Sequence, residues 1–568
     1  MTGMKDFIAF DTEDNSKILC ETQGHSLNKT LTQIAAMGMG VKFHSRGDRE
    51  KFKEWLGGFP DNTVCYAHNL GYDLGNIFGG ELDEIDIKMV GSRIIRARWK
   101  NINFLDSFNI WPMGLKKLGE AFGLEKLEFN AESEEYVFRD VEIVHKAMTF
   151  AREMSESYGV KSMPATLGGL CVSVWREMGG DSWKCSSLTA REALFGGRVE
   201  LFSKGGKGRI YYVDVNSLYP SVMREKFPTG FERLDGFEAG WGIAEVHIEI
   251  PPMVVAPLPV RDGDGRIYYP TGRLHGFWTF HEIRNAVEHG ARVVNLIQAH
   301  GSLDGQKYYE KFVSHFYEKR KTAKSTAEKL MFKLMMNNRY GQLAMKGSVT
   351  QSIKLVDSDF NSDGMFRGDG IPYGKKRLAE IQMPLPDHVN FLHAAYVTSY
   401  GRLVLQKFLR MIDPASLIYC DTDSIIFFNE GDTLPFAVSG DMGEMKLEGI
   451  ANRCYTIAPK MYLFGHHLKV KGVPKRMVND GKRKYIPAVE IFRRGETDYF
   501  LPYKFRESVR FYNTRKSADG TVVNAFNSHP LSAWRKVTKK HVTDYDKKSI
   551  KDGVYFPKNI SMFKKKKG

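Results

Sequence analysis

The stretch Tyr419-Cys420-Asp421-Thr422-Asp423-Ser424 sets two carboxylates one residue apart between two apolar runs, Leu417-Ile418-Tyr419 and Ile425-Ile426-Phe427-Phe428. That pattern predicts a β-hairpin whose turn carries both acids. Side chains two apart on an extended chain share a face, so both can approach one metal site. A solvated turn explains most isolated Asp-x-Asp pairs. Here a third acid, Asp214, ends the strand-like run Arg209-Ile210-Tyr211-Tyr212-Val213 and opens Asp214-Val215-Asn216-Ser217-Leu218-Tyr219-Pro220-Ser221. On a common sheet the three acids would hold two divalent cations, the arrangement used for in-line phosphoryl or nucleotidyl transfer.

A second acidic group lies in the first third of the chain. Phe7-Ile8-Ala9-Phe10 reads as a short buried strand, with Asp11-Thr12-Glu13 directly after it, and Asp73 closes Tyr66-Ala67-His68-Asn69-Leu70-Gly71-Tyr72-Asp73. Tyr136 and Asp140 open a helical pattern running through Val141, Ile143, Val144 and Met148, and their spacing of four puts them on one side. Asp11, Glu13, Asp73 and Asp140 with Tyr136 suit a two-metal exonuclease. Metals would bind the scissile phosphate and activate water, and the Tyr136 hydroxyl would orient that water.

From Tyr308 to Gly341 the chain reads as two helices parted near Thr322-Ala323. Leu330, Met331, Leu334 and Met335 form an apolar stripe on the second, while Lys329, Lys333, Asn337 and Tyr340 share its other side. With Lys321 near the turn, this is a cationic face ending in an aromatic, able to bind a triphosphate and to support a base.

These elements need a large scaffold, and 568 residues allow several domains with sizeable cores. The 82 basic residues against 67 acidic ones give a net charge of +15, which favours a polyanionic partner. Lys564-Lys565-Lys566-Lys567 reads as a solvated tail that adds phosphate attraction. The six cysteines, Cys20, Cys65, Cys171, Cys185, Cys420 and Cys454, are scattered without a Cys-x-x-Cys pair. They point to a reduced intracellular protein without a structural zinc site. No signal segment precedes the first strand, no apolar run is long enough to span a bilayer, and no internal repeat is evident.

Taken in order, these motifs resemble those of the family B DNA polymerases. Asp214-x-x-Ser217-Leu218-Tyr219-Pro220 is similar to motif A, Lys333 to Gly341 to motif B, and Tyr419-x-Asp421-Thr422-Asp423-Ser424 to motif C. Asp11-Thr12-Glu13, the segment ending at Asp73, and Tyr136-x-x-x-Asp140 resemble the Exo I, II and III motifs of proofreading 3′→5′ exonucleases. The resemblance implies that Asp214 and Asp423 hold two Mg²⁺, with Mn²⁺ able to substitute, that Asp421 acts beside them, and that Val215 lends backbone contact at the metal and phosphates. It implies phosphate binding by Lys321, Lys329 and Lys333, a nascent base pair at Tyr340, and exclusion of ribonucleotides by Tyr219. Asp11, Glu13, Asp73 and Asp140 would hold the exonuclease metals. Tyr66, His68, Asn69 and Tyr72 would hold an unpaired primer end. Lys116 or Lys117 would supply a lysine that assists that reaction.

Lys460-x-Tyr462 resembles the motif that steadies the primer strand, and alternation puts both residues on one face of a strand next to Lys469-Val470-Lys471-Gly472. Gly196-Gly197 matches the end of a Tyr-x-Gly-Gly motif linking the two activities, with Leu194 at the tyrosine position. Asp14, Asn338 and Arg339 also depart from the family pattern.

The motifs run from Asp11 to Tyr462, roughly four-fifths of the chain. The expected fold is a multidomain α/β chain: a ribonuclease H-like exonuclease domain, then a right-hand polymerase of palm, fingers and thumb. The exonuclease would occupy 1–165 and the palm 166–225 and 393–475. The fingers would occupy 309–345, and the thumb and basic tail 476–568. Two insertions are similar to those of the protein-primed polymerases of bacteriophages and linear plasmids. That at 226–308 would contact a terminal protein, and that at 346–392, with the basic loop Arg367 to Arg377, would support processivity and strand displacement. The expected partners are template and primer DNA and deoxynucleoside triphosphates. The resemblance adds a terminal protein primer and a single-stranded DNA-binding protein, for an intracellular monomer that, if viral, works in the host cytoplasm. The alternatives are a family B polymerase that uses an ordinary primer or none, and a nuclease whose polymerase half only grips DNA.

Overall fold

The computed structural model describes residues 4, 6–14, 31–78, 84–91, 93–130, 132–263, 265–354, 356–359, 371–373 and 375–470, and beyond them 503–509, 515–516, 522–523, 533–539, 548–551 and 554–562. Cys20, Arg367–Gly370, Lys471-Gly472, most of the region expected as a thumb and the Lys564–Lys567 tail lie outside the described residues.

The N-terminal sheet is built around the strand Phe7–Asp14, which pairs in parallel with Val64–Ala67 and antiparallel with Leu31–Gly38. Every residue of this strand is buried. Ile8 and Phe10 pack with Phe52 and Phe104 on one face, while Phe7 and Ala9 join Val137 and Val144 of the long helix Glu134–Ser157 on the other. The sequence places Asp11, Thr12 and Glu13 after the strand, but they belong to it. Their backbones pair with Ala35, Ile34 and Gln33, so sheet pairing carries the acids into the interior.

Residues 346–392, read from sequence as a separate insertion, extend this same sheet. The strand Ser348–Lys354 pairs with Asp86–Val90 through Thr350 with Met89 and Gln351 with Lys88, and Lys376–Gln382 and Ile371–Tyr373 continue the order outward. The Ile87 N–H donates to Ser352 Oγ at 2.8 Å, and Leu378 joins the N-terminal core. The pairing covers an edge that would otherwise present free backbone donors and acceptors.

A seven-stranded sheet runs His467–Val470, Met461–Phe464, Met445–Ala458, Gly205–Val215, Ser424–Phe428, Leu417–Asp421, Val199–Leu201. Beside it, residues 232–302 form most of a five-stranded sheet whose last strand, Asn559–Ser561, arrives from the C-terminal end and pairs in parallel with Thr271–Arg273. The 21-residue helix Phe391–Met411, capped by Asn390, lies in the main core. The two helices expected from the periodicity are Glu310–Lys321 and Thr326–Asn338. The break between them is fixed by Ser325 and Glu328, which satisfy each other's backbone donors in a capping box. Among the described residues, no helix is long and apolar enough to cross a membrane.

Candidate catalytic centres

Strand pairing brings together the two ends of the acidic pattern. Ser424 of the hairpin is the register partner of Asp214, and the Val215 N–H donates to the Asp423 carbonyl at 2.6 Å. The turn is held from its other side, where the Thr422 N–H donates to the Arg198 carbonyl at 2.7 Å. Thr422 takes the left-handed φ of 64°, unusual for a β-branched residue and sustained here by this double anchoring. Burial raises the Asp214 carboxyl to about 7, with Asp423 and then Glu448 adding to the shift. Burial also raises Asp423, and Asp421 adds to it. Two carboxylates that resist ionising together are a donor set that a divalent cation would relieve.

Asp421 faces elsewhere. Its oxygens lie 2.8 and 3.1 Å from Lys460 Nζ, and the Tyr419 hydroxyl donates to Oδ2 at 3.3 Å. The same hydroxyl accepts the Lys460 N–H at 2.8 Å. The expectation that Lys460 and Tyr462 share a strand face is corrected. Lys460 sits in the turn before Met461–Phe464 with a φ of 63°, which rotates it out of the alternation. Tyr462 is 2% exposed, packed between Tyr212 and Tyr419. Lys460 reaches the Asp421 end of the hairpin, and Tyr462 supports it from inside the core.

Tyr219, in the short helix Leu218–Val222, closes another side of the centre. Its ring centroid is 4.6 Å from that of Tyr340, at the end of the helix bearing Lys329 and Lys333. A Cβ placed on Gly197 would lie 2.8 Å from Thr422 and 2.9 Å from the Tyr219 hydroxyl, so only glycine lets the three groups meet. The Gly196 carbonyl accepts from Arg402 at 2.8 Å. Lys321, Lys329 and Lys333 are exposed, and Lys321 lies 3.9 Å from Asp441. The two departures in this segment point away from the centre: Asn338 donates to the Leu334 carbonyl at 2.9 Å, and Arg339 is fully buried against Trp175 and Tyr309.

The N-terminal centre is more tightly assembled. Asp11, Glu13 and Asp140 bring ligand oxygens within 4.8 Å of one another, the one such three-acid group among the described residues. Burial, with repulsion from Asp73 and Glu13, raises Asp11 well above the usual carboxylate range, and burial with Asp140 raises Glu13 to about 7. Asp11 Oδ2 and Asp140 Oδ1 are buried without a hydrogen-bond partner. Orphaned, mutually repelling oxygens fit a divalent cation. Asp73 lies beside the group but is engaged differently: its Oδ1 accepts from the Thr12 N–H at 3.0 Å and the Thr12 hydroxyl at 2.8 Å.

The residues expected to grip an unpaired strand divide in two. Tyr66 is 3% exposed with its ring edge-on to Phe7, so it is a core residue and offers no stacking platform. His68 bridges Ser107 Oγ at 2.9 Å and the Met113 carbonyl at 2.8 Å, and burial lowers its pKa to about 4. Asn69 adopts a φ of 71° and donates its N–H to Asp106 at 2.9 Å. Tyr72 is half-buried and hydrogen-bonds Asp14, which places that acid inside the site's wall. Lys116 and Lys117 are exposed on the helix Leu115–Phe122. The lysine at the centre is Lys126, paired with Asp140 Oδ2 and 4.7 Å above the Tyr136 ring. Burial works against its charge, yet Asp140 raises its pKa on balance.

Residues 125–369 match the family described as DNA polymerase type B, organellar and viral. Solved relatives extend the likeness of fold to nearly the whole chain. The phi29 DNA polymerase complexed with primer-template DNA and incoming nucleotides superposes with a TM-score of 0.66 at 16% identity, covering 95% of this chain and 100% of that one. The same polymerase with single-stranded DNA gives 0.66 over 94% and 100%. Among curated relatives, a probable DNA polymerase of Agaricus bitorquis is 27% identical over 184 residues, 30% of this chain and 23% of that protein. One from Neurospora intermedia is 24% identical over 304 residues, 48% of this chain and 30% of the relative. The matches thus span less than a third of those relatives' length.

Sequence reasoning missed two residues. Lys126 stands fourteen positions before Asp140 in a segment without periodicity, so only folding shows its partner. Gly401 did leave a signal, since a glycine inside a long helix is costly without a reason. A Cβ there would lie 3.0 Å from the Tyr219 ring.

Proposed function

We propose that the chain is a template-directed DNA polymerase carrying a 3′→5′ editing exonuclease, with Mg²⁺ at both centres. The observation that carries this reading is the pairing of the Asp423 hairpin with the Asp214 strand under Tyr219 and Tyr340. In this reading the seven-stranded sheet is the palm, the helix pair the fingers and the N-terminal sheet the exonuclease domain. The oxygen of a primer 3′-hydroxyl bonds to the α-phosphorus of the incoming nucleotide, the bond to pyrophosphate breaks, and the hydroxyl proton leaves. Asp214 and Asp423 would hold cations that supply charge neutralisation and hydroxyl activation when bound. Lys329, Lys333 and Lys321 carry the triphosphate charge. The Tyr219 ring, fixed between Gly197, Gly401 and Tyr340, occupies the space a 2′-hydroxyl would need. At the other centre Asp11, Glu13 and Asp140 would hold cations that supply activation of water and charge neutralisation at a terminal phosphodiester, and Lys126 and Tyr136, which face each other beside them, would orient the attacking water.

Priming by a terminal protein and displacement of the non-template strand belong to the same proposal, supported by likeness to the phi29 fold and by the strands of residues 346–382 joined to the N-terminal sheet. A nuclease with a non-catalytic DNA-gripping half is the second reading, favoured by the tighter grouping of the N-terminal acids. Extension of a primed single-stranded circle with Mg²⁺ and four deoxynucleotides separates them. Products longer than the circle support polymerisation with strand displacement, and products of one circumference remove strand displacement. No extension by an exonuclease-silenced D11N variant leaves the nuclease reading. In a polymerase, D423N abolishes extension and keeps degradation of single-stranded DNA.

A further inference from the structure

Behind the catalytic hairpin lies a buried charged network that none of these roles uses. Glu200 sits on the strand Val199–Leu201, whose register partners are Tyr419, Cys420 and Asp421. Its Oε2 accepts from Arg198 Nε at 2.8 Å and Nη2 at 2.5 Å. Its Oε1 is held by Lys548 Nζ, from a strand 348 positions further along the chain. All three side chains are interior: Arg198 is 1% exposed, Glu200 4% and Lys548 9%. Arg198 also donates to the Ala256 carbonyl at 2.9 Å and stacks 4.1 Å over Tyr269. The carbonyl of that same Arg198 receives the Thr422 N–H, in the strained turn between Asp421 and Asp423.

The C-terminal segment is also fastened by backbone. The Thr271 N–H donates to the Lys558 carbonyl at 3.0 Å, the Met562 N–H to the Arg273 carbonyl at 2.7 Å, and Ile560 pairs with Gly272. A Cβ on Gly272 would lie 2.2 Å from the Ile560 carbonyl, so a glycine is required where the strand docks.

We infer that Lys548 is a positioning residue: the strand Lys548–Lys551 clamps the catalytic hairpin through Glu200 and Arg198. Removing Lys548 leaves one Glu200 oxygen buried without its partner, and the carboxylate is then free to pull Arg198 away from Thr422. Ser424–Phe428 is paired in register with Ile210–Asp214, but the turn itself is tied to its neighbours through Arg198 at Thr422 and Val215 at Asp423, so slack at Arg198 is felt at the residue beside Asp423. A displacement of a catalytic carboxylate by even a fraction of an ångström lowers turnover more than nucleotide affinity. The same link makes nucleotidyl transfer sensitive to whatever moves the C-terminal region.

This inference rests on the polymerase reading of Asp214 and Asp423, so its test carries one readout independent of activity. Lys548→Met and Lys548→Arg are compared with the wild-type chain for extension of a primed template, degradation of single-stranded DNA and amide hydrogen exchange of the segment containing Thr422. K548M is expected to lower kcat for nucleotide incorporation about tenfold with KM changed less than about twofold, and K548R to restore most of it. Nuclease activity stays at the wild-type level, and the Thr422 segment exchanges faster in K548M. Unchanged exchange in K548M overturns the clamp whether or not the wild-type chain extends primers. Wild-type kcat in K548M, or parallel loss of both activities without rescue by K548R, overturns it as well. Failure of the wild-type chain to extend, with faster exchange in K548M, keeps the clamp and removes the polymerase reading instead.

Discussion

The Tyr219 and Tyr340 rings meet at 4.6 Å between centroids and 49° between planes, joining the strand end that carries Asp214 to the helix that carries Lys333. Neither ring holds this position alone. The Tyr219 ring is backed by Gly401, and its hydroxyl lies close to Gly197 and Thr422.

Gly197→Ala tests that packing. The added methyl would meet Thr422 and the Tyr219 hydroxyl at less than 3 Å, and neither can retreat without moving the hairpin turn or the aromatic pair. Nucleotide incorporation should fall by about two orders of magnitude, the usual cost of displacing a positioned reacting group. Degradation of single-stranded DNA should stay unchanged. Steady-state kinetics of both activities on one preparation measure the split, and equal losses would refute it.

Lys126 should matter to the nuclease where Lys116 and Lys117 do not. It neutralises part of the charge on Asp140 and faces the Tyr136 ring, while the other two point outward. Lys126→Met should reduce exonuclease turnover by about a hundredfold, in the range for a positioned electrostatic or proton-transfer group. A Lys116→Ala, Lys117→Ala double variant should retain turnover within about twofold, since exposed charges act weakly. Primer extension serves as the internal control for folding. The reverse ranking would return the role to the outward-facing pair.

What could be read from the sequence was set by how local each relationship is. The hairpin of Asp421 and Asp423, the Asp214 strand and the two helices with their lysine face follow from periods of two and 3.6 within short windows. Lys460 escaped because a single left-handed residue ends an alternation, and residue types alone do not show where that happens. Lys126 and the Glu200–Lys548 pair escaped because the partners are 14 and 348 positions apart, and Gly401 because the ring it makes room for, Tyr219, lies in a distant segment. Tyr66 was misplaced for a related reason. An aromatic next to a site motif can face inward as readily as outward, and here Phe7 holds it inward.

Burial of neutral histidine makes stability depend on pH. His393 is fully buried, its Nδ1 2.7 Å from the Tyr309 hydroxyl and its Nε2 2.8 Å from the Pro228 carbonyl, and burial lowers its pKa from 6.5 to about 3. With the folded value depressed, its contribution is full above the unfolded value and is lost as pH falls toward the folded one. Between about pH 7 and pH 5 this single site should remove about 2 kcal/mol from wild-type stability. A His393→Asn variant starts less stable but lacks that slope. The gap between the two, measured by denaturant titration in chelator, should therefore narrow by about that amount on acidification. A constant gap would mean that His393 titrates in the fold as it does in the unfolded chain.

Arg339 should be a stability cost at a position where an apolar side chain would fit. Its guanidinium is 0% exposed, and none of its three nitrogens has a hydrogen-bond partner among the described residues. Its compensation is the Trp175 ring at 4.2 Å and the Tyr309 ring at 5.1 Å, worth about 2 kcal/mol for a desolvated cation. Taking a charge out of water costs several kcal/mol even after relaxation, and Arg176 nearby adds repulsion, so the rings do not balance it. Arg339→Met keeps the length and most of the volume while removing the charge, and should stabilise the fold by about 1–3 kcal/mol. Arg339→Ala should instead destabilise, because it trades the charge for a cavity between two aromatic rings. Thermal unfolding of the two variants beside the wild-type chain decides the matter. A less stable R339M would show that the cation–π contacts outweigh the desolvation of the charge.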